Sequence, residues 1–133
     1  MVFNKFNMSY YELSFKVKSP LEKRFLEDCV TVGLKVVPQY PIENIHADFA
    51  IPEKKFVIEL DSKQWHSSED IWEKDWARDD IYWKNGWRVI RITGKYVYQH
   101  GEEVAEVIKQ LDPNDDSWSI KMYGDFDEWN EIT

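Results

Sequence analysis

The chain has 133 residues, of which 43% are hydrophobic and 16% aromatic, with one cysteine and a formal net charge of −8. That length suits one domain with a substantial core, and it contains no apolar run of about 18 residues that would span a membrane. A lone Cys29 excludes an internal disulfide and a multi-cysteine zinc site, and the acidic balance argues against indiscriminate nucleic-acid binding, which rests on Lys and Arg.

Met1 to Phe6 lack the charged-then-apolar layout of a signal peptide, so the cytoplasm is the expected compartment. The first predicted helix opens at Ser19-Pro20-Leu21-Glu22. Serine fits the N-cap, proline the first helical position, and glutamate the third, completing a capping box. Leu21, Phe25 and Cys29 then form an apolar stripe, and Gly33 stops the helix. Val36 to Pro41 read as extended or looped because of Pro38 and Pro41. Two strands follow, 46–51 and 56–61, joined by the turn Pro52-Glu53-Lys54-Lys55. A second helix is expected from Ser67 or Ser68 to Asn85, with Gly86 closing it. A third strand covers 87–92, and a last helix begins near Gly101. The order is α-β-β-α-β-α, an α/β fold with a short mixed sheet.

The charge divides unevenly along this path. Residues 1–111 carry 16 basic and 18 acidic side chains, whereas residues 112–133 carry 1 and 7. The chain therefore reads as a domain at 1–111 followed by an acidic, solubilising extension at 112–133. Trp118, Tyr123, Phe126 and Trp129 imply that this extension docks.

Alternation on the second strand puts Phe56, Ile58 and Leu60 on one face and Val57, Glu59 and Asp61 on the other. Counting back from a four-residue turn pairs Ile51 with Phe56, Ala50 with Val57 and Phe49 with Ile58. The next step sets Asp48 opposite Glu59. Directly opposed carboxylates destabilise a sheet, so they need a reason. A divalent cation is one, since Mg²⁺ is commonly held by one or two carboxylates plus water and phosphate oxygens. A coupled, protonated carboxyl pair is another, and a longer turn with a different register, leaving Glu59 and Asp61 facing solvent, is a third. Glu22 is accounted for by capping, yet lies beside the buried stripe. His66 follows Trp65 just past the acidic strand, Asp75 lies on the next helix, and His46 and His100 have no constellation around them. Arg88, Arg91 and Lys95 form a modest basic strip, a weak signal for phosphate contact.

Together these segments resemble a known family. Ser19-Pro20-Leu21-Glu22, Pro38-Gln39-Tyr40-Pro41-Ile42, Ala47-Asp48-Phe49, Ile58-Glu59-Leu60-Asp61, Trp65-His66, Asp75-Trp76-Ala77-Arg78 and Asn85-Gly86-Trp87-Arg88-Val89-Ile90-Arg91 are similar to the endonuclease-like family related to very-short-patch-repair enzymes. That family belongs to the PD-(D/E)xK nucleases, and some homing endonucleases share the variant. The resemblance covers about residues 19–111 and implies a restriction-endonuclease-like mixed sheet flanked by helices. It implies that Asp48 is the metal-binding aspartate, Glu59 the second acid and Glu22 the helix-1 glutamate. His66 is then the histidine after tryptophan, and Asp75 its acidic partner. The superfamily lysine two residues after the second acid is Asp61 here. One cysteine cannot rebuild the structural zinc site of the repair enzymes, so mismatch recognition does not follow.

The expected function is metal-dependent hydrolysis of DNA phosphodiesters, with Mg²⁺ (or Mn²⁺ as substitute) on Asp48 and Glu59. Asp61 would assist, and His66 oriented by Asp75 would transfer protons. A separate DNA-binding subunit is an expected partner, given the near-neutral body. The rival reading is a catalytically inactive nucleic-acid-binding or interaction module with the same fold.

Overall fold

The computed structural model describes residues 10–61 and 69–124, without the side chains of Tyr11 and of residues 69–75. Its elements are α1 (Tyr10–Ser14), α2 (Pro20–Val32), β1 (Val37–Ile42), β2 (Ile45–Ile51), β3 (Phe56–Asp61), α3 (Glu69–Lys84), β4 (Arg88–Thr93), α4 (Gly94–Gln110) and β5 (Ile120–Tyr123). The strands form one sheet in sequence order, β1-β2-β3-β4-β5. β1, β2 and β3 are antiparallel neighbours, while β4 runs parallel to β3 and β5 parallel to β4. This is the mixed, helix-flanked α/β sheet expected from the sequence, extended by α1, β1 and β5.

Local chemistry explains α2 well. Ser19 sits in extended conformation, its side chain accepts the Glu22 amide, and Gly33 ends the helix at φ 77°. The turn at 52–55 is also as expected, with Lys55 at φ 58° and Ile51 paired to Phe56. The expected helix start at Ser67 or Ser68 lies outside the described residues. Gly86, at φ 82°, follows α3 in the left-handed region that glycine tolerates.

Segment 37–42, read as extended or looped, is the edge strand β1, which tolerates its prolines because half of its amides lack sheet partners. One boundary differs from expectation. The last helix starts at Gly94, where the Thr93 side chain accepts the Tyr96 amide. Gly101 is instead the restart after a kink at His100, whose φ of −140° is non-helical.

Both faces of the sheet are covered. On one, α2 and α4 bury Phe25, Leu26, Val104 and Ile108 against Phe49, Ile51, Phe56, Ile58, Ile90 and Ile92. On the other, Tyr82 of α3 and Trp87 close over Ala47, Ala50, Val57 and Val89. Val57 is therefore core, and the polar stretch of β3 begins only at Glu59. Among the described residues no helix is long and apolar enough to cross a membrane.

Candidate active site

Asp48 and Glu59 meet where the sheet ladder gives way. Pairing between β2 and β3 runs from Ile51 with Phe56 to Phe49 with Ile58 and stops there. On the other side of β2, pairs Pro38 with Phe49 and Tyr40 with Ala47 flank Gln39, which takes φ 51°. Asp48 thus lies in a local break on both sides. Side chains replace the missing ladder bonds: the Leu60 amide donates to Asp48 Oδ2 at 2.9 Å, and the Asp48 amide donates to Glu59 Oε2 at 3.4 Å. The two acids are held together by backbone that the strand has released.

Glu59 is fixed from the opposite direction by α3. Arg78 reaches its Oε1 at 2.8 Å and also donates to the His46 carbonyl at 2.9 Å. The Tyr82 hydroxyl donates to the same Oε1 and accepts from Arg78 at 3.0 Å. Burial and the Glu59 charge push the Tyr82 phenol well above its ordinary range, so it serves as a proton-bearing donor. Oε1 is thereby committed to α3, and Oε2 faces Asp48.

Burial and the neighbouring Glu59 push the Asp48 carboxyl up to about 8, with Glu22 adding to the effect and the Leu60 amide opposing it. The Asp48 side of the site thus has a deficit of positive charge. Glu22 contributes from α2. Its carboxylate accepts from the Lys18 amide at 3.2 Å, from the Ser19 hydroxyl at 3.3 Å and from Gln39 Nε2 at 2.9 Å. Capping and site-lining are therefore both roles of this glutamate. Glu22, Asp48, Glu59, Lys18, His46 and Arg78 line one open cleft of about 490 Å³.

Asp61 ends β3 opposite Thr93, two residues beyond Glu59, and does not line that cleft. His66 lies outside the described residues. Asp75 falls on α3 one turn before Arg78, but its side chain is likewise outside the description. The basic strip expected at Arg88, Arg91 and Lys95 is not one. Arg91 is buried in a two-pronged bond to Asp79 at 2.7 and 2.6 Å, and Arg88 donates to the Pro113 and Asp115 carbonyls. Conversely, Arg78, Tyr82 and Gln39 enter the site without having been assigned to it from the sequence, and His46, read as having no constellation around it, lines the cleft. Only the three- and four-residue steps from Asp75 to Arg78 and from Arg78 to Tyr82 offered a signal, a shared face of α3.

Comparison with known proteins bears on this arrangement. Residues 21–111 match the restriction-endonuclease-like family REase_MTES_1575. The chain belongs to that family. The match spans α2 through α4 and so contains every described residue of the acidic site except Lys18. The catalytic domain of the homing endonuclease I-Bth0305I has a similar structure, with a TM-score of 0.55 and 19% identity over 70% of this chain and 93% of that one. At that identity the likeness concerns the fold, and it places the restriction-endonuclease-like chain among helix-flanked mixed sheets. No curated protein matches the sequence.

Proposed function

We propose that the protein is a divalent-metal-dependent DNA endonuclease whose active site is the Asp48–Glu59 pair. The observation that carries this reading is the convergence of two carboxylates at a break in the sheet ladder, within an open cleft of a restriction-endonuclease-like domain. The homing endonuclease that shares the fold, and the resemblance to very-short-patch-repair-like enzymes, favour DNA as the substrate.

Among the described residues no three His, Cys, Asp or Glu side chains form a metal cluster. Two carboxylates nevertheless fit Mg²⁺ or Mn²⁺, which commonly take one or two together with water and phosphate oxygens. The raised Asp48 carboxyl points the same way, because a neighbouring cation offsets both its burial and the Glu59 charge. Asp48 and Glu59 would hold the ion, which when bound supplies Lewis acidity and an activated water. Arg78 and Tyr82 keep Glu59 in one rotamer. Glu22, tied to Gln39, adds negative charge to the lining of the cleft. His66, with Asp75 as its orienting partner, is the candidate proton carrier, and Asp61 a supporting acid. The near-neutral charge of residues 1–111 favours a separate DNA-binding subunit as the source of most phosphate affinity.

The test is cleavage of plasmid, single-stranded and branched DNA with and without Mg²⁺ or Mn²⁺. Cation-dependent cleavage is expected, and it should disappear in both Asp48→Ala and Glu59→Ala. Cleavage that survives in either folded variant removes that residue from the site. DNA binding without cleavage under every condition would instead identify a catalytically inactive module.

A further inference from the structure

We propose that a second cleft, beside the carboxylate site and along the edge strand β1, is a subsite for an unpaired DNA strand. It rests on the nuclease reading above and specifies the form of DNA that this reading requires. The cleft measures about 550 Å³ and is lined chiefly by Lys16, Lys18, Pro38, Tyr40, Pro41 and His46. Lys18, Gln39 and His46 also line the carboxylate cleft, so the two are contiguous. A strand whose scissile phosphate lies at Asp48 and Glu59 passes directly into it.

Its chemistry differs from that of the site it adjoins. In a chain of net charge −8 the cleft has no acidic side chain in its lining among the described residues, and both lysines are exposed. The walls are largely apolar, with Val37, two prolines and Tyr40 among the lining residues. Tyr40 is held in place by Trp87, ring centroids 5.4 Å apart, so its orientation is preset. A duplex presents phosphates and groove edges to a protein and keeps its base faces stacked inside. An unpaired strand offers base faces to apolar and aromatic walls while its phosphates meet cations. Lysines beside a ring and two prolines match the second pattern. Protection of the sheet edge accounts for Pro38 and Pro41, but not for the cavity.

The experiment measures fluorescence anisotropy of a short labelled oligothymidylate and of a blunt duplex of equal length. It uses the full chain in EDTA across a salt series. The single strand should bind more tightly than the duplex. Tyr40→Ala should weaken single-strand binding about tenfold, as loss of one stacking platform does, while Tyr40→Phe retains it. Lys16→Glu should weaken the same complex and flatten its salt dependence. Equal or tighter duplex binding overturns the proposal, as does unchanged oligothymidylate affinity in both Tyr40→Ala and Lys16→Glu. If circular dichroism shows Tyr40→Ala unfolded, Lys16→Glu and Lys18→Glu decide the matter by the same criterion. The two readings fail separately. Tyr40-dependent single-strand binding with no cleavage of any DNA removes the nuclease reading and leaves the subsite. Cleavage that requires Asp48 but is accompanied by neutral Tyr40 and lysine variants removes the subsite alone.

Discussion

Asp48 is the residue on which the proposed chemistry turns, and its proton gives the most direct test. An unfolded aspartate releases its proton near 3.8, whereas burial and Glu59 hold the folded carboxyl up to about 8. Between those limits the native state binds more protons than the unfolded state, so stability falls as pH rises through the window. In EDTA the melting temperature should therefore decline from about pH 4 to about pH 8, and Asp48→Asn should remove that part of the decline. A cation must displace the same proton, so Mn²⁺ affinity measured by calorimetry should rise over this interval and level off above it. His66 is tested kinetically: if it transfers a proton, His66→Ala should slow cleavage roughly 10²–10⁴-fold with Mn²⁺ affinity unchanged. A weakened Mn²⁺ affinity would make it a ligand instead. Asp48 and Glu59 could be singled out in the sequence because alternation and a short turn constrain them locally, and Glu22 because the capping box does. Arg78 and Tyr82 could not, since nothing local says which face of α3 meets β3.

The elements around the site are positioned by two packed helices with an unusually close contact. Asp28 of α2 is buried, 3.3 Å from Arg24, and burial raises its carboxyl above the ordinary range. It lies against Gly101, where an added Cβ would fall 1.9 Å from Asp28 Oδ2. A larger residue here would force the Asp28 side chain to shift, at the point where α4 restarts after the kink at His100. Gly101→Ala should cost roughly 1–3 kcal/mol of stability in denaturant titrations, the usual range for overpacking. Combining it with Asp28→Ala should recover part of the loss, and an additive double variant would show that the contact is not the cause. The same element explains a misread boundary. Gly101 looks like a helix start in sequence, but the cap is Thr93, and only packing of α4 against α2 carries the helix through a non-helical residue.

At the scale of the whole molecule, the stretch after Leu111 takes part in the sheet. β5 pairs with β4, and the Trp118 ring packs at a tilt against Phe56, centroids 5.2 Å apart. The Arg88 guanidinium lies 5.0 Å above Trp118 and donates to the Pro113 and Asp115 carbonyls. Truncation after Leu111 should therefore lower the melting temperature. It also uncovers a strand edge at β4, so association by light scattering should rise. Unchanged stability would mean that these contacts contribute nothing, leaving 112–133 a passive acidic extension. Composition had indicated only that aromatic residues there needed a place to dock. β5 is four residues long and carries Lys121, too little pattern to mark a strand.

By itself the sequence determined what short-range physics controls: the Ser19 cap and Gly33 stop of α2, the turn at 52–55, and the β3 alternation that ends in Glu59. Each depends on backbone sterics or on neighbours a few residues apart. Tertiary structure decided the rest. Gln39 adopts a positive φ and opens the ladder at Asp48 while its side chain reaches Glu22, seventeen residues away. Arg78 and Tyr82 reach Glu59 from the helix that crosses behind it, and Arg91 is buried against Asp79 although its sequence context looked basic and exposed. Such partners are separated by a dozen to two dozen residues. Which of them meet depends on how both faces of the sheet are filled, and this is a property of the assembled core and not of any window along the chain.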